Sequence, residues 1–297
     1  MSILALRQRL ILLAPLAAIL LPFLLVPSVW GFVASFTNYV PFQLDLHGVG
    51  LRNYTNVITD HEFGAAIRNT VVFTLTTVTV AMVLGFGIAY LLRRPFRGRD
   101  LVRVLLLVPW LVSPIANGVM WHFLLNGKVG LLNALLGMLK LPDQPSLLGV
   151  RGWALPMVML VEIWRTAPLV TFLLWPGLTS IPDEQWEQAT LEGATLWQRL
   201  RLIALPPVWP LMLTVTLLLA GNALGAFDSV LVLTGGGPGT ETVTLGLFSF
   251  TRGFKVFDWP IATTSAWLIV AAVSFLGFVY VLLSNALLRE THAQEAT

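Results

Sequence analysis

Three charged side chains stand inside otherwise apolar segments of the sequence, and their types could do chemistry there. Glu162 and Arg165 lie three residues apart, so on a helix they share one face and can form an ion pair. Asp228 has no oppositely charged residue near it in the sequence. Ionisable groups within membrane spans are costly and mark solute or proton pathways. We therefore expect these residues to line a pathway, with mutual neutralisation as the alternative for Glu162 and Arg165.

A cluster of polar and aromatic side chains could hold a hydroxylated solute. Asn117, Trp121 and His122 form the densest such cluster within an apolar segment, and a tryptophan ring can stack on the apolar face of a sugar. Tryptophan is also enriched at membrane interfaces, which is the competing explanation. The same alternatives hold for the other tryptophans in apolar segments, which are Trp110, Trp164, Trp175 and Trp267.

Asn222 is a further candidate for the pathway. It precedes Asp228 by six residues, which on a continuous helix puts the two side chains on different faces. Gly221 and Gly225 form a small-residue pair that lets another helix approach closely. Asn222 could therefore bond to a neighbouring helix instead of a solute.

Composition excludes several kinds of chemistry. The chain has no cysteine, which excludes disulfides and thiolate sites, and its four histidines lack metal-ligand spacing, so we expect no metal centre. The sequence contains no phosphate-binding loop of the form Gly-x-x-x-x-Gly-Lys-Ser/Thr, so this chain should bind no ATP or other cofactor. Glu162 and Asp228 lie on different segments, and no catalytic motif accompanies them, which argues against an intramembrane enzyme.

The elements that must position these residues are membrane spans. Apolar residues make up 56% of the 297 residues and charged residues 11%, against about 25% charged in soluble domains. A helix needs about 20 apolar residues to cross a bilayer. The sequence predicts an all-α integral membrane protein with six transmembrane helices, near Leu10 to Phe36, Ile67 to Leu92, Val104 to Leu125, Trp153 to Thr179, Pro207 to Leu233 and Pro260 to Leu287.

Arginine distribution predicts the orientation of these helices. Five arginines fall within the eleven residues from Arg93 to Arg103, and loops rich in Lys and Arg stay in the cytoplasm. With six spans, both termini should then be cytoplasmic. The net charge of +3 follows from such membrane-flanking residues and not from a basic stripe, so we expect no nucleic-acid partner.

A polar stretch between the fourth and fifth spans has a helical pattern, and we name residues 180–206 the signature loop. Pro182 and Asp183 supply a helix start. A single amphipathic helix is predicted from the spacing of Trp186, Ala189, Gly193, Leu196 and Trp197. Glycine inside a helix costs roughly 1 kcal/mol relative to alanine, so something should press against the backbone at Gly193. An ordinary surface helix is the alternative.

The fixed positions of this loop resemble the cytoplasmic loop of the permeases of binding-protein-dependent ABC importers. Those positions are Glu187, Ala189, Gly193, Ile203, Leu205 and Pro206. Residues 227–239 and the Asn69-Thr70 pair resemble the carbohydrate-uptake branch, and more narrowly the F-type subunit of maltose permeases. The resemblance runs from about Pro27 to Leu287, with Gln188 and Glu192 departing from the usual Ala and Asp.

The resemblance implies the fold and the partners of the chain. It implies a type I ABC importer transmembrane domain in the cytoplasmic (inner) membrane, with a coupling helix that docks on an ATPase through the six fixed positions. The implied partners are a second, G-type permease, an ATP-binding subunit dimer that carries ATP and Mg, and an extracytoplasmic solute-binding protein. The implied domains are 1–66 as the first helix and outer loop, 67–290 as the core and 291–297 as a cytoplasmic tail.

The substrate implied by the resemblance is a sugar or sugar-like solute, and polyols and glycerol phosphates are carried within the same branch. The alternative class is an ion-coupled secondary transporter, which usually has more spans built from internal repeats. Six predicted spans without a visible repeat argue against that class.

Overall fold

The computed structural model describes residues 3–43, 46–127, 130–138 and 146–295. In these ranges the regular structure is helical, apart from an isolated antiparallel bridge between Thr37 and Gly48. The helices of the first part are α1 (Ile3–Ser35), α2 (Arg52–Thr59), α3 (His61–Arg93), α4 (Arg99–Leu111), α5 (Pro114–Leu124) and α6 (Leu131–Met138). Those of the second part are α7 (Ala154–Thr179), α8 (Asp183–Leu191), α9 (Leu196–Arg199), α10 (Leu205–Leu224), α11 (Asp228–Leu233), α12 (Leu245–Phe254) and α13 (Trp259–Glu295).

The described residues contain five helices that are long and apolar enough to cross a membrane, and a bent pair that makes a sixth span if taken together. This confirms the predicted all-α membrane fold. The helix predicted to end at Leu287 runs on to Glu295, so most of the predicted tail is helical. Residues 296–297 lie outside the described residues.

The third predicted span is not one helix, and the prediction from Val104 to Leu125 was wrong in this respect. Helices α4 and α5 meet at an angle of 98°. Ser113 caps α5 by accepting a hydrogen bond from the amide of Ala116, and Pro114 fills its first turn. Serine followed by proline is a helix start, because proline lacks the amide that would continue the preceding helix.

The fifth predicted span is also interrupted. Helix α10 ends at Leu224, and α11 begins at Asp228 after a short irregular segment. Gly246 lies directly against this segment, since a Cβ atom built on it would be 2.5 Å from the carbonyl oxygen of Gly225. The prediction of one helix from Pro207 to Leu233 was therefore wrong, and the break is held by close backbone packing.

The chain divides into two compact units, residues 1–60 with 249–268 and residues 61–248 with 269–297. In the first unit, Asn53 donates to the carbonyl oxygens of Ser35 and Thr37 at 2.9 and 2.8 Å. Arg252 and Asp60 form an ion pair at 2.6 Å. The predicted domain boundary at residue 66 stays a prediction.

The core of the second unit is the contact between α3 and α7. Gly85 permits it, because a Cβ atom there would lie 2.5 Å from the Cβ of Val170. Thr171 donates from α7 to the carbonyl oxygen of Gly85 at 3.2 Å. Helix α10 packs against both α3 and α7. These three helices form the frame on which the candidate site is built.

Two motifs that are distant in the sequence meet in this second unit. The Asn69 amide donates to the carbonyl oxygens of Thr240 and Val243, at 2.8 and 3.0 Å. Thr70 accepts from the amide of Leu245 at 2.8 Å. The start of α3 therefore fixes the glycine-rich loop that follows α11.

Candidate functional site

The break between α10 and α11 opens a polar cavity of about 290 Å³. Helix α7 contributes Glu162 and Arg165, the end of α10 contributes Asn222, and the start of α11 contributes Asp228. The remaining lining residues are Pro114, Gly221, Gly225, Ala226, Phe227 and Ser229. We call this site the polar cavity.

Four of the residues predicted to line a pathway thus meet in one place. Asn222 and Asp228 were predicted to lie on different faces of one helix, and that prediction was wrong. The helix ends between them at Leu224, so the six-residue spacing no longer fixes their relative direction. Both side chains line the polar cavity.

Glu162 and Arg165 form the predicted ion pair. Arg165 donates to both carboxylate oxygens, with Nη2 to Oε1 at 2.5 Å and Nε to Oε2 at 3.4 Å. Their side chains are only 10% and 17% exposed. Because a buried carboxylate needs a paired cation, the two side chains stabilise each other's charged forms.

The other two polar groups of the cavity have unused bonding capacity. The Asn222 amide nitrogen donates to the carbonyl oxygen of Leu218 at 2.8 Å, which leaves the side-chain oxygen of Asn222 free to accept. Within the described residues, the Asp228 carboxylate has no hydrogen bond or ion pair. An acceptor amide and an unpaired carboxylate can bind hydroxyl groups that enter the cavity.

The predicted cluster on α5 does not line the polar cavity. Asn117 is completely buried, and neither atom of its amide has a partner in the described part of the chain. His122 bonds through Nδ1 to the carbonyl oxygen of Leu233 at 2.9 Å. Trp121 packs edge-on against Trp164, with ring centroids 5.5 Å apart. In this conformation the cluster ties α5 to α7 and α11.

The signature loop forms the short helix α8 and then the start of a second helix at α9, which continues into α10, instead of the single predicted helix. Helix α8 ends at Leu191, and Gly193 follows with φ of +73°. The amide of Ala194 bonds to the carbonyl of Ala189 and that of Gly193 to Thr190, at 2.8 and 3.1 Å. This pair of bonds is a Schellman motif, in which glycine supplies the left-handed residue.

The prediction that Gly193 lies inside a helix was therefore wrong, whereas a contact of Gly193 with a partner subunit stays a prediction. A Cβ atom built at Gly193 would meet nothing within 4 Å. The predicted single face is also divided, because Trp186 and Ala189 are buried whereas Trp197 is exposed. Two signals for the turn were present in the sequence, the glycine itself and the Thr195 to Gln198 capping box that starts α9.

The remaining fixed positions of the signature loop lie at both of its ends. Glu187 is exposed on α8. Ile203 lies half-buried in a π-helical turn, Leu200–Ala204, that leads into α10. Leu205 and Pro206 form the first turn of α10, where a proline fits because its missing amide is not needed.

The outer surface of the signature loop carries apolar side chains that are not covered in the free chain. Leu191 is 88% exposed, and Trp197 is 66% exposed. Leu196 and Leu202 are also exposed. An exposed apolar group on a polar loop is typical of a protein interaction site.

A second depression, of about 510 Å³, lies beside α8, and the sequence did not indicate it. We call it the arginine groove, and its lining residues are Arg93, Arg94, Pro95, Asp183, Trp186, Glu187, Thr190 and Leu191. The Arg93 guanidinium stacks on the Trp186 ring, 3.6 Å from its centroid. Arg93 also approaches Asp183 at 3.9 Å. The buried Arg93 thereby links the end of α3 to the signature loop.

Known proteins are similar to this chain in both sequence and fold. Residues 55–292 match the sequence model of the family described as Binding-protein-dependent transport system inner membrane component. The chain is 33% identical over 268 residues to the Trehalose/maltose transport system permease protein MalF of Thermococcus litoralis, covering 90% of this chain and 88% of that protein. It is 29% identical to the Trehalose transport system permease protein SugA of Mycobacterium tuberculosis, covering 80% of this chain and 75% of that protein.

The fold is similar to that of a solved importer structure. A chain of a bacterial ABC transporter involved in the import of the acidic polysaccharide alginate superposes with a TM-score of 0.78. The superposition covers 95% of this chain and 99% of that chain, at 20% identity.

Proposed function

The chain belongs to the family of binding-protein-dependent transport system inner membrane components, and from that premise we propose that it carries a sugar across the membrane through the polar cavity. The chain is a permease subunit of the ABC importer class, and its relatives include permeases named for trehalose and maltose. The observation that carries the proposal is the convergence of Glu162, Arg165, Asn222 and Asp228 on one cavity at the break between α10 and α11.

The chemistry of the cavity fits a hydroxylated solute. Sugar hydroxyl groups donate and accept hydrogen bonds, and the free oxygens of Asn222 and Asp228 can accept from them. Pro114 and Phe227 add apolar surface beside these acceptors. Binding sites of this kind combine an apolar lining with a few polar groups that set orientation.

We assign the driving force to a separate ATPase, to which ATP and Mg would bind. The signature loop docks on it in this proposal, with the exposed Leu191 and Trp197 as contacts and the six fixed positions shaping the loop. Arg93 joins α3 to α8, so a movement of the docked α8 is passed to α3. Because α3 packs on α7, the movement reaches the helix that carries Glu162 and Arg165.

The rest of the assembly follows from this assignment. We propose a G-type second permease, a dimer of ATP-binding subunits and an extracytoplasmic solute-binding protein as partners. The signature loop and both termini face the cytoplasm in this arrangement, as the arginine-rich loop after α3 indicates.

Sugar uptake tests the proposal directly. In a host strain that lacks this chain, uptake of radiolabelled trehalose or maltose is expected to fall to background and to return with the intact chain. Asn222→Ala should restore less than about a tenth of the uptake, the effect of about 1.4 kcal/mol of lost binding. Thr214→Ala, on the same helix but bonded to Tyr280 and outside the cavity, is the matched control and should restore it fully.

The deletion strain also defines the result that would contradict the proposed substrate. Undiminished uptake of both sugars in that strain would contradict the proposed substrate class. Mild-detergent purification of the tagged chain tests the partners separately, because an ATPase and a second permease should elute with it. A chain that purifies alone would contradict the assembly.

A further inference from the structure

The polar cavity has an unbalanced charge. Three of its ten lining residues are charged, namely Glu162, Arg165 and Asp228. Glu162 and Arg165 neutralise each other at 2.5 Å. Asp228 lacks a cationic partner in the described part of the chain. One negative charge is therefore left over.

The surroundings of Asp228 reduce this charge without removing it. Asp228 is the first residue of α11, so its carboxylate lies in the first helical turn, where a negative charge is favourable. Helix α11 has only six residues, and the helix end carries about half of an elementary charge at most. The helix end can therefore offset at most about half of the negative charge of this carboxylate.

The walls of the cavity also limit how far solvent screens the charge of Asp228. The walls beside Asp228 are mostly backbone and small residues, and Ser229 next to it is buried. Interactions between charges grow stronger as the surroundings become less polar than bulk water. A solute inside the cavity therefore experiences the field of Asp228 more strongly than a solute at an exposed surface.

We propose that Asp228 makes the polar cavity a charge filter, which admits neutral and amino sugars and repels sugars that carry carboxylate or phosphate groups. This inference rests on the proposed function and narrows its substrate class. A filter of this kind excludes glycerol phosphates, which the sequence alone left as possible substrates. It also separates this chain from the alginate transporter, since a shared fold does not set the charge of the pathway.

The absence of cysteine from the sequence allows a direct measurement of the charge. Ala226→Cys puts one thiol in the wall of the cavity. Its reaction rates are measured in membrane vesicles with two methanethiosulfonate reagents, the cationic trimethylammonium-ethyl and the anionic sulfonatoethyl compound. The ratio of the two rates is divided by the same ratio for 2-mercaptoethanol in solution. Any change in the acidity of the introduced thiol affects both rates alike and cancels.

The normalised ratio should favour the cationic reagent, and Asp228→Asn should lower it by about tenfold, the effect of about 1.4 kcal/mol. The double variant Glu162→Gln with Arg165→Gln is the matched control. It removes one charge of each sign, so the ratio should stay within about twofold. Asparagine at position 228 keeps the shape of the side chain, and the measurement requires no transport.

Three outcomes would overturn the filter. The first is a ratio that favours the anionic reagent, and the second is a ratio that Asp228→Asn leaves unchanged. The third is a thiol that reacts with neither reagent, because solutes then do not reach the cavity. Each of these can occur while trehalose or maltose uptake proceeds, so failure of the filter is distinguishable from failure of the proposed function.

Discussion

Substitution of Gly193 distinguishes two roles of that glycine in the signature loop, which are a left-handed turn and a close contact with the ATPase. Its φ of +73° is left-handed, and a Cβ atom there would meet nothing within 4 Å. An L-residue in this conformation costs roughly 1–2 kcal/mol. Gly193→Ala should therefore reduce the population of the turn between α8 and α9 by a factor of about 5–30. Asparagine adopts the left-handed region more readily than other residues, so Gly193→Asn should lose less.

The affinity of the ATPase subunit for the detergent-solubilised permease is the quantity to measure, together with sugar uptake per ATP hydrolysed. Both should decrease in the order glycine, asparagine, alanine. Gly87→Ala is the matched control, because nothing lies within 4 Å of that position either and its φ is not positive. Gly193→Leu adds a test of size. Leucine should equal alanine if only the backbone matters, and should be worse if the ATPase packs against this position.

The order of the ATPase affinities of the variants shows whether the left-handed turn is what Gly193 provides. If Gly193→Asn binds the ATPase as weakly as Gly193→Ala, the left-handed turn is not what the glycine provides. If Gly193→Ala binds as the unchanged chain does, the turn is not part of the docking surface.

The remaining predictions concern buried groups that link helices. Replacing Arg93 with Leu removes its stacking on Trp186 and its approach to Asp183, and should cost about 1–2 kcal/mol in the thermal unfolding of the solubilised chain. Arg94→Leu, on the exposed neighbour, is the control and should cost little. Equal unfolding temperatures for the two variants would contradict the link between α3 and α8. Asn117→Leu replaces a buried amide, which has no partner in the described part of the chain, by an apolar group of similar size, so the unfolding temperature should stay equal or rise. A clear fall for Asn117→Leu would mean that the amide is bonded, and uptake measured on the same variant reports whether the amide is needed in another transport conformation.

The sequence predicted the membrane spans and the Glu162–Arg165 pair because both depend on local patterns. Hydrophobic length marks a span, and i, i+3 spacing brings two side chains together on any helix. The start of α5 at Ser113 and Pro114 was also readable from local signals. The predicted continuous helix across that start shows that overall hydrophobicity conceals such signals.

The polar cavity and the arginine groove could not be predicted in the same way. Each depends on which helices pack together, and nothing local relates Glu162 on α7 to Asp228 on α11. The break after Leu224 was concealed because glycine and alanine there read equally well as a helix that packs closely. Gly193 was misread for a similar reason, since a glycine between helical residues can be an interior position or a helix end.

The contact of Gly246 with the backbone at Gly225 has a consequence for how this permease can change its specificity. One wall of the polar cavity is main chain held by main chain, so any side chain at position 246 would have to displace the carbonyl group of Gly225. A single substitution at position 246 therefore cannot be accommodated without moving this segment of backbone. Evolution or engineering toward larger solutes must therefore work on side chains of the cavity such as Pro114, Glu162, Arg165 and Asn222, and toward differently charged solutes on Asp228, and this predicts where successful selection experiments will find their mutations.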